Sequence, residues 1–211
     1  MTLIDSRPGV LATYRALSEE TGVWVDAELA VSRLGPPLEE ELAHWFPSEA
    51  VGEVADHYRR LYPRYAVEPV PALPGAHQAL AAVRRAGGRV LVVTAKNRRL
   101  AELHLSRLGL EVDGLLGGLW AEAKGDALRE EGAAVYVGDH VGDVRGAHRA
   151  EAWSVAVSTG PCGPGELREA GAHVVLPDLG EFAGWLAACP QGAQGSRDSG
   201  PVGEPARDDL A

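Results

Sequence analysis

Residues 133–147, AAVYVGDHVGDVRGA, constrain the fold more tightly than any other stretch of the chain. A short apolar run, Val135-Tyr136-Val137, stops at Gly138 and gives way to Asp139 and Asp143 before a helical pattern begins. The order is strand, acidic turn, helix. Open α/β sheets bind ligands at the carboxyl edge of their strands, so a buried strand ending in carboxylates delivers them to that crevice. Two crowded carboxylates repel each other unless a proton or a cation intervenes. Magnesium, a hard ion that takes oxygen ligands and keeps several waters, suits such a pair. A second reading of the same residues is a polar turn in which Asp143 caps the following helix.

The strand belongs to a series. From Ala76 onward the pattern alternates: helix over 76–86, buried strand over 89–94 (RVLVVT), helix over 97–108, a short strand at Leu115-Leu116, helix over 124–131 and strand over 134–138. It continues as helix over 143–150, strand over 153–157, helix over 165–170, strand over 173–176 and a last helix over 179–188. Such alternation predicts a doubly wound, parallel, Rossmann-like sheet with helices on both faces. The beginning of the chain has a different rhythm. Val10, Leu11, Tyr14 and Leu17 are spaced for one helix face, Gly22 closes that helix, and Asp26 can cap a second one carrying Leu29, Val31 and Leu34. After Gly35-Pro36-Pro37, helical spacing resumes with Trp45 and Phe46 and then with Val51, Val54, Tyr58 and Leu61. Residues 10–65 therefore read as an all-helical block. The segment from Pro63 through Pro74, PRYAVEPVPALP, is expected to break helix and serve as a hinge. The division expected is 1–9 leading in, 10–70 helical, 71–189 α/β, and a glycine- and proline-rich disordered tail over 190–211.

Composition narrows the partners. A net charge of -10 with no basic run argues against nucleic acid, whose binding starts from a positive surface. No stretch has the apolar length of a membrane helix and no signal peptide precedes the first helix, so a cytoplasmic protein is expected. Cys162 and Cys189 are too far apart in sequence for a C-x-x-C site and read as plain thiols. Of 20 basic residues only Lys96 and Lys124 are lysines, which marks both as places where a compact point charge is wanted.

Each strand of the α/β block hands over a particular residue at its carboxyl end. The strand ending at Val93 delivers Thr94, then Ala95-Lys96-Asn97 at a helix start, where free N–H groups and a hydroxyl can hold anionic oxygens. Lys124 follows the Gly117-Gly118 loop, and the 134–138 strand delivers Asp139 and Asp143. A hydroxyl, an ammonium and paired acids at one sheet edge suit phosphoryl chemistry, in which positioning and charge neutralisation supply nearly all of the catalysis.

The order Thr94, Lys124, Gly138-Asp139-x-x-x-Asp143 behind a helical block resembles the haloacid dehalogenase-like hydrolase superfamily, in particular its phosphoglycolate-phosphatase-like branch. The resemblance runs from residue 1 to about 188. It implies that Thr94 and the Ala95 N–H bind the transferred phosphoryl group, that Lys124 steadies nucleophile and phosphate, and that Asp139 ligates magnesium with Asp143 beside it. It also implies that the helical block is a cap closing over a small phosphorylated metabolite, with a reaction through an aspartyl-phosphate. Thr2-Leu3-Ile4-Asp5-Ser6 matches the tail of the family's first motif, Asp-x-Asp-x-Thr. The nucleophilic aspartate would stand three residues before Met1 and the acid/base aspartate one residue before it. Neither they nor the first central strand that carries them are in the sequence. The expectation is that the natural protein extends upstream through that strand and that the chain as given is inactive. The alternative is a non-catalytic relative of the same fold, and a sugar phosphomutase would share these motifs. Neither the motifs nor the composition assigns an oligomeric state.

Other polar residues have plainer readings. All seven histidines are expected at the surface, with His140 in the acidic turn facing substrate or solvent. Trp45, Phe46, Tyr58 and Tyr62 have the spacing of core packing, and Arg59-Arg60 and Arg98-Arg99 that of solvated helix faces. Lys96 could reach substrate or point to water.

Overall fold

Two short extended segments lie side by side and join a helical body to an α/β body. Leu73 N–H donates to Leu3 O at 2.9 Å, Asp5 N–H donates to Pro71 O at 3.0 Å, and Ile4 bridges Ala72 in antiparallel fashion. The structure, a computed structural model, describes residues 1–189; the disordered tail expected over 190–211 lies outside the described residues.

The helical cap is built from α1 (Arg7–Thr21), α2 (Ala27–Ser32), α3 (Leu38–Leu42) and α4 (Val51–Tyr65). Helix α1 starts ahead of its first apolar residue because Pro8 is pre-set for a first turn, and it stops at Gly22, whose φ of 70° suits a residue without Cβ. The Asp26 side chain accepts from Leu29 N–H at 3.0 Å and caps α2. Leu29 itself is exposed, and Ala27 and Ala30 carry the buried face instead. Leu17, Leu42, Tyr58 and Tyr62 centre the cap's cluster, with Phe46 buried among them and Trp45 packed at its edge. Leu100 belongs to the same cluster although it lies in the α/β body, so the cap rests on the helix that carries it. Gly9 permits the close crossing of α1 over Ala66, where a Cβ would come 2.8 Å from the Ala66 Cα.

The hinge is shorter than the proline content suggests. Helix α4 runs through Pro63 to Tyr65 and is closed by Ala66 N–H to Tyr62 O at 2.8 Å. Pro63 sits in the final turn, where the one hydrogen bond it forfeits, to the Arg59 carbonyl, costs little because the helix is already ending.

The α/β body follows the alternating order: α5 (Ala76–Arg85), β1 (Leu91–Thr94), α6 (Arg98–Arg107), β2 (Gly114–Gly117), α7 (Glu122–Glu130), β3 (Val135–Gly138), α8 (Val141–Arg149), β4 (Trp153–Val157), α9 (Pro164–Glu169), β5 (Val174–Leu176) and α10 (Phe182–Ala188). All strand pairs are parallel, as in a Rossmann-like sheet. β1 pairs with β2, with Thr94 opposite Gly117, and β4 lies between β3 and β5, with Gly138 opposite Ala156.

The two groups of strands do not join. Among the described residues no strand pairs with the remaining edge of β1 or of β3. Both edges line one cavity of about 1130 Å³ that runs up under the cap. The Tyr136 hydroxyl reaches across the opening to within 3.2 Å of Val93 O. An unpaired slot thus separates β1 from β3.

Candidate active site

Gly138 ends β3 because nothing larger fits: Asp143 folds back over it, and a Cβ there would come 2.6 Å from the Asp143 carboxyl carbon. Asp143 occupies the third position of α8. His140, not Asp143, is the residue that caps the helix, its Nδ1 accepting from Gly142 N–H at 3.0 Å. The Asp143 carboxylate closes the reciprocal half of this capping box. Its Oδ2 accepts from the N–H groups of Asp139 at 3.1 Å and His140 at 3.2 Å. Its Oδ1 accepts from Lys124 Nζ at 2.7 Å and lies 3.2 Å from the Tyr136 hydroxyl. That hydroxyl has one proton for two acceptors, Asp143 Oδ1 and Val93 O. Both Asp143 oxygens are therefore engaged by donors of the protein, contacts that tie the turn to Lys124.

Lys124 reaches this point from α7, after a turn at Ala121 whose φ of 47° is sparsely populated for a residue with a side chain. Lysine and aspartate are both buried, 7% and 6% exposed, so each charge relies on the other. The Lys124 ammonium also stands 5.6 Å from the Trp120 ring. Burial pushes the His140 imidazole below its ordinary range. Its ring packs on Trp120 at 5.3 Å between centroids. A Cβ on Gly35 of the cap would touch the His140 ring at 3.3 Å, so the cap's glycine-proline turn closes one side of the site.

Asp139 is different. One oxygen accepts from Thr2 Oγ1 at 2.7 Å and the other meets the amino group of Met1. Burial pushes that amino group down to about 5. Asp139 is itself buried, 9% exposed. A buried carboxylate of this kind fits a hard divalent ion, and magnesium commonly takes one or two protein carboxylates and completes its shell with water and phosphate oxygens. Among the described residues no cluster of three or more acidic, histidine or cysteine side chains forms a closed metal cage.

Thr94 ends β1 on the opposite wall. Its Oγ1 accepts from Lys96 N–H at 3.1 Å, bending the loop so that Ala95 and Lys96 face the cavity. Thr94, Ala95, Lys124, Asp139 and Asp143 all line the same cavity.

One polar residue of this region had no sequence signal. His104, expected at the surface, is 1% exposed on α6, wedged against Tyr62 of the cap. A neutral imidazole can be buried where it has a hydroxyl partner, and helical spacing cannot distinguish such a residue from a solvated one. Thr2 had a sequence signal only as the tail of the first motif; its contact with Asp139, 137 positions away, places it in the site. Arg98 pairs with Glu102 on an exposed face, as expected, whereas Arg59, paired with Glu39 and Asp56, is only partly exposed and lines the cavity.

Comparison with known proteins places this geometry. No curated protein sequence matches the chain. Several solved structures share its fold: a haloacid dehalogenase-like family hydrolase from Streptococcus pneumoniae is 20% identical with a TM-score of 0.75, covering 88% of this chain and 93% of that one. A protein named as a predicted phosphatase from Clostridium acetobutylicum is 20% identical, TM-score 0.75, over 89% and 94%. One named for phosphoglycolate phosphatase, from Lactobacillus delbrueckii subsp. bulgaricus, is 17% identical, TM-score 0.71, over 86% and 92%. The family model for haloacid dehalogenase-like hydrolases matches residues 1–148, a span that takes in the cap and every residue gathered at the carboxyl edges of β1 and β3. With its parallel sheet, helical cap and that match, the chain belongs to the haloacid dehalogenase-like hydrolase family.

Proposed function

We propose that the protein is a magnesium-dependent phosphatase of a small phosphorylated metabolite, working through an aspartyl-phosphate. The observation that carries this reading is the convergence of Thr94, Lys124 and Asp139 on one cavity beneath the cap. Thr94 Oγ1 and the Ala95 N–H would take phosphoryl oxygens. Lys124, anchored by Asp143, would set a fixed positive charge beside the transferred group. Asp139 would hold magnesium, which when bound supplies the charge that lets a carboxylate approach a phosphate. His140, Trp120 and the Gly35 turn would exclude water from one side.

The attacking carboxylate and its acid/base partner belong, in this reading, to an Asp-x-Asp at the carboxyl end of a strand seated in the slot between β1 and β3. Such a strand would run parallel to both walls and finish beside Asp139. The test is a protein lengthened before Met1 by an apolar strand ending Asp-x-Asp. It should release phosphate from small phosphomonoesters only with magnesium, and Asp139→Asn or Lys124→Ala should each lower the rate by about 100-fold or more. Full activity in either variant refutes the assignment, as does brisk turnover by residues 1–211 alone.

One observation favours a second reading, a binding protein of the same fold without turnover. Among the described residues every other acid lining the cavity is a partner of an arginine or of Lys124: Glu39 with Arg59, Glu41 with Arg33, Glu131 with Arg89 and Asp143 with Lys124. Phosphate binding with no release of phosphate by the lengthened protein would select it.

A further inference from the structure

Among the described residues four large apolar side chains are exposed, and three of them, Val23, Trp24 and Leu29, fall within one short stretch of the cap. Trp24 is the extreme case, 72% exposed. It stands in the loop between Gly22, which ends α1, and Asp26, which caps α2, and none of the three lines the cavity that holds Thr94 and Asp139. The segment is anchored in the cap core by Val25, Ala27 and Ala30. Nor is the exposed ring loose. It meets the Trp45 ring edge-on at 5.8 Å between centroids. Trp45 is fixed in turn, its Nε1 donating to Glu41 at 2.9 Å and the Arg33 guanidinium standing 5.7 Å over its ring. A tryptophan held in place at the surface offers a wide apolar face at small cost in side-chain freedom, which is why this residue so often anchors an interface.

The charge around the patch selects its occupant. Residues 19–32, EETGVWVDAELAVS, carry four acids, Glu19, Glu20, Asp26 and Glu28, and no base. Glu20 meets His57 at 2.7 Å and Glu28 meets Arg15 at 2.6 Å, but both pairs are open to water, where such bridges contribute little. Two copies of the chain meeting here would set these acids against their own like. The three apolar side chains together offer on the order of 300 Å², against the ~800 Å² that each side of a stable interface between folded proteins buries. Size and charge therefore both point to a short, positively charged segment. We propose that the Val23–Trp24–Leu29 patch docks a basic amphipathic helix of another protein, whose apolar row covers the Trp24 ring while lysines or arginines on its flanks meet Glu19, Glu20 and Glu28. Such a helix presents its apolar anchors at i, i+3, i+4 and i+7, a row that suits a narrow patch with a charged rim. The rim sets which partner docks, and the tryptophan sets how tightly. The inference is independent of the phosphatase reading.

The experiment titrates the full chain into two labelled peptides of about 14 residues, roughly four helical turns, that share one helical row of leucines. One carries lysine and the other glutamate at every polar position, and fluorescence anisotropy follows binding. The lysine peptide should bind about tenfold more tightly than its twin, or better. Trp24→Ala should weaken it by about tenfold or more and Leu29→Ser by about threefold. Glu19→Gln with Glu20→Gln should weaken it by about threefold and flatten its salt dependence. Trp153→Ala, at the other exposed tryptophan, should change nothing, which separates docking at the patch from the attraction of any cationic peptide to a chain of net charge -10. A reading that needs no variant comes from proton–nitrogen NMR: the indole N–H signals of Trp24 and Trp45 should move on adding the lysine peptide and that of Trp153 should not. No binding of the lysine peptide, equal binding of the two, affinity that survives in Trp24→Ala, or shifts confined to Trp153 overturns the proposal. So does a dimer of the unliganded chain that Trp24→Ala dissolves, which would make a second copy the occupant, or entry of Trp24 into phosphatidylcholine vesicles, which would make it a lipid surface.

Discussion

Breaking the Lys124–Asp143 pair from either side should cost unequal amounts, and together the two changes should cost less than their sum. Both side chains are buried and the ion pair is 2.7 Å long. Removing one partner of a buried pair typically costs about 3–5 kcal/mol, because the survivor is left charged and uncompensated. Lys124→Met should fall at the lower end, about 3 kcal/mol, since Asp143 keeps two backbone N–H donors and the Tyr136 hydroxyl nearby. Asp143→Ala should reach about 5 kcal/mol, because it strands the ammonium beside Trp120 and also orphans the N–H groups of Asp139 and His140. Additive behaviour would put the double variant near 8 kcal/mol, more than many domains of marginal stability possess. Removing both charges at once leaves only the orphaned backbone, so the double variant should lose about 5 kcal/mol and the coupling should be about 3 kcal/mol. Urea unfolding at neutral pH, followed by tryptophan fluorescence and with an unchanged slope, measures all three. Additivity to within about 0.5 kcal/mol, or a loss under about 1 kcal/mol for Lys124→Met, would show that the ammonium is not held by this carboxylate.

Other consequences follow from single features. Gly75→Ala places a side chain at φ 81°, with its Cβ 2.6 Å from Leu179 O, and should cost at least about 2 kcal/mol in thermal unfolding, whereas Gly22→Ala, at φ 70° in open space, should cost about 1. His104, held at about 4 when folded and near 6.5 when unfolded, binds a proton only in the unfolded chain between those values. Its stabilisation is complete above pH 6.5 and is lost as pH falls to about 4, by up to about 3 kcal/mol; subtracting the same titration of His104→Gln should isolate it. Tyr136→Phe removes the donor that reaches Val93 O and Asp143 and should cost about 1 kcal/mol in urea, with the fold retained.

The order of elements was legible because each strand of the α/β body is a short apolar run bounded by glycine or a charged turn, and parallel strands buried on both faces have that pattern. Boundaries shifted where local geometry outvoted composition. Pro63 looked like a break but falls in a last turn, where a missing N–H is cheap, and the N-cap of α8 proved to be His140 because Asp143, at the third helical position, closes the other half of the capping box. The residues of the site were visible wherever a strand end announced them, as at Thr94 and Asp139. Contacts between residues far apart in sequence were not. The Tyr62–His104 bond spans 42 positions and joins two helices that the sequence can only describe one at a time. The slot between β1 and β3 shows where the two kinds of information meet. Its walls are read from two apolar runs, but its width depends on α7 and α8 packing together and on β3 being carried by β4. A phenol reaching across to one carbonyl leaves most of both strand edges without partners. Backbone groups facing one another across such a slot are matched by a parallel strand, because its N–H and C=O groups alternate in register with both walls. The same geometry leaves the sheet in two pieces among the described residues, with the unpaired edges of β1 and β3 facing the cavity that Asp139 lines.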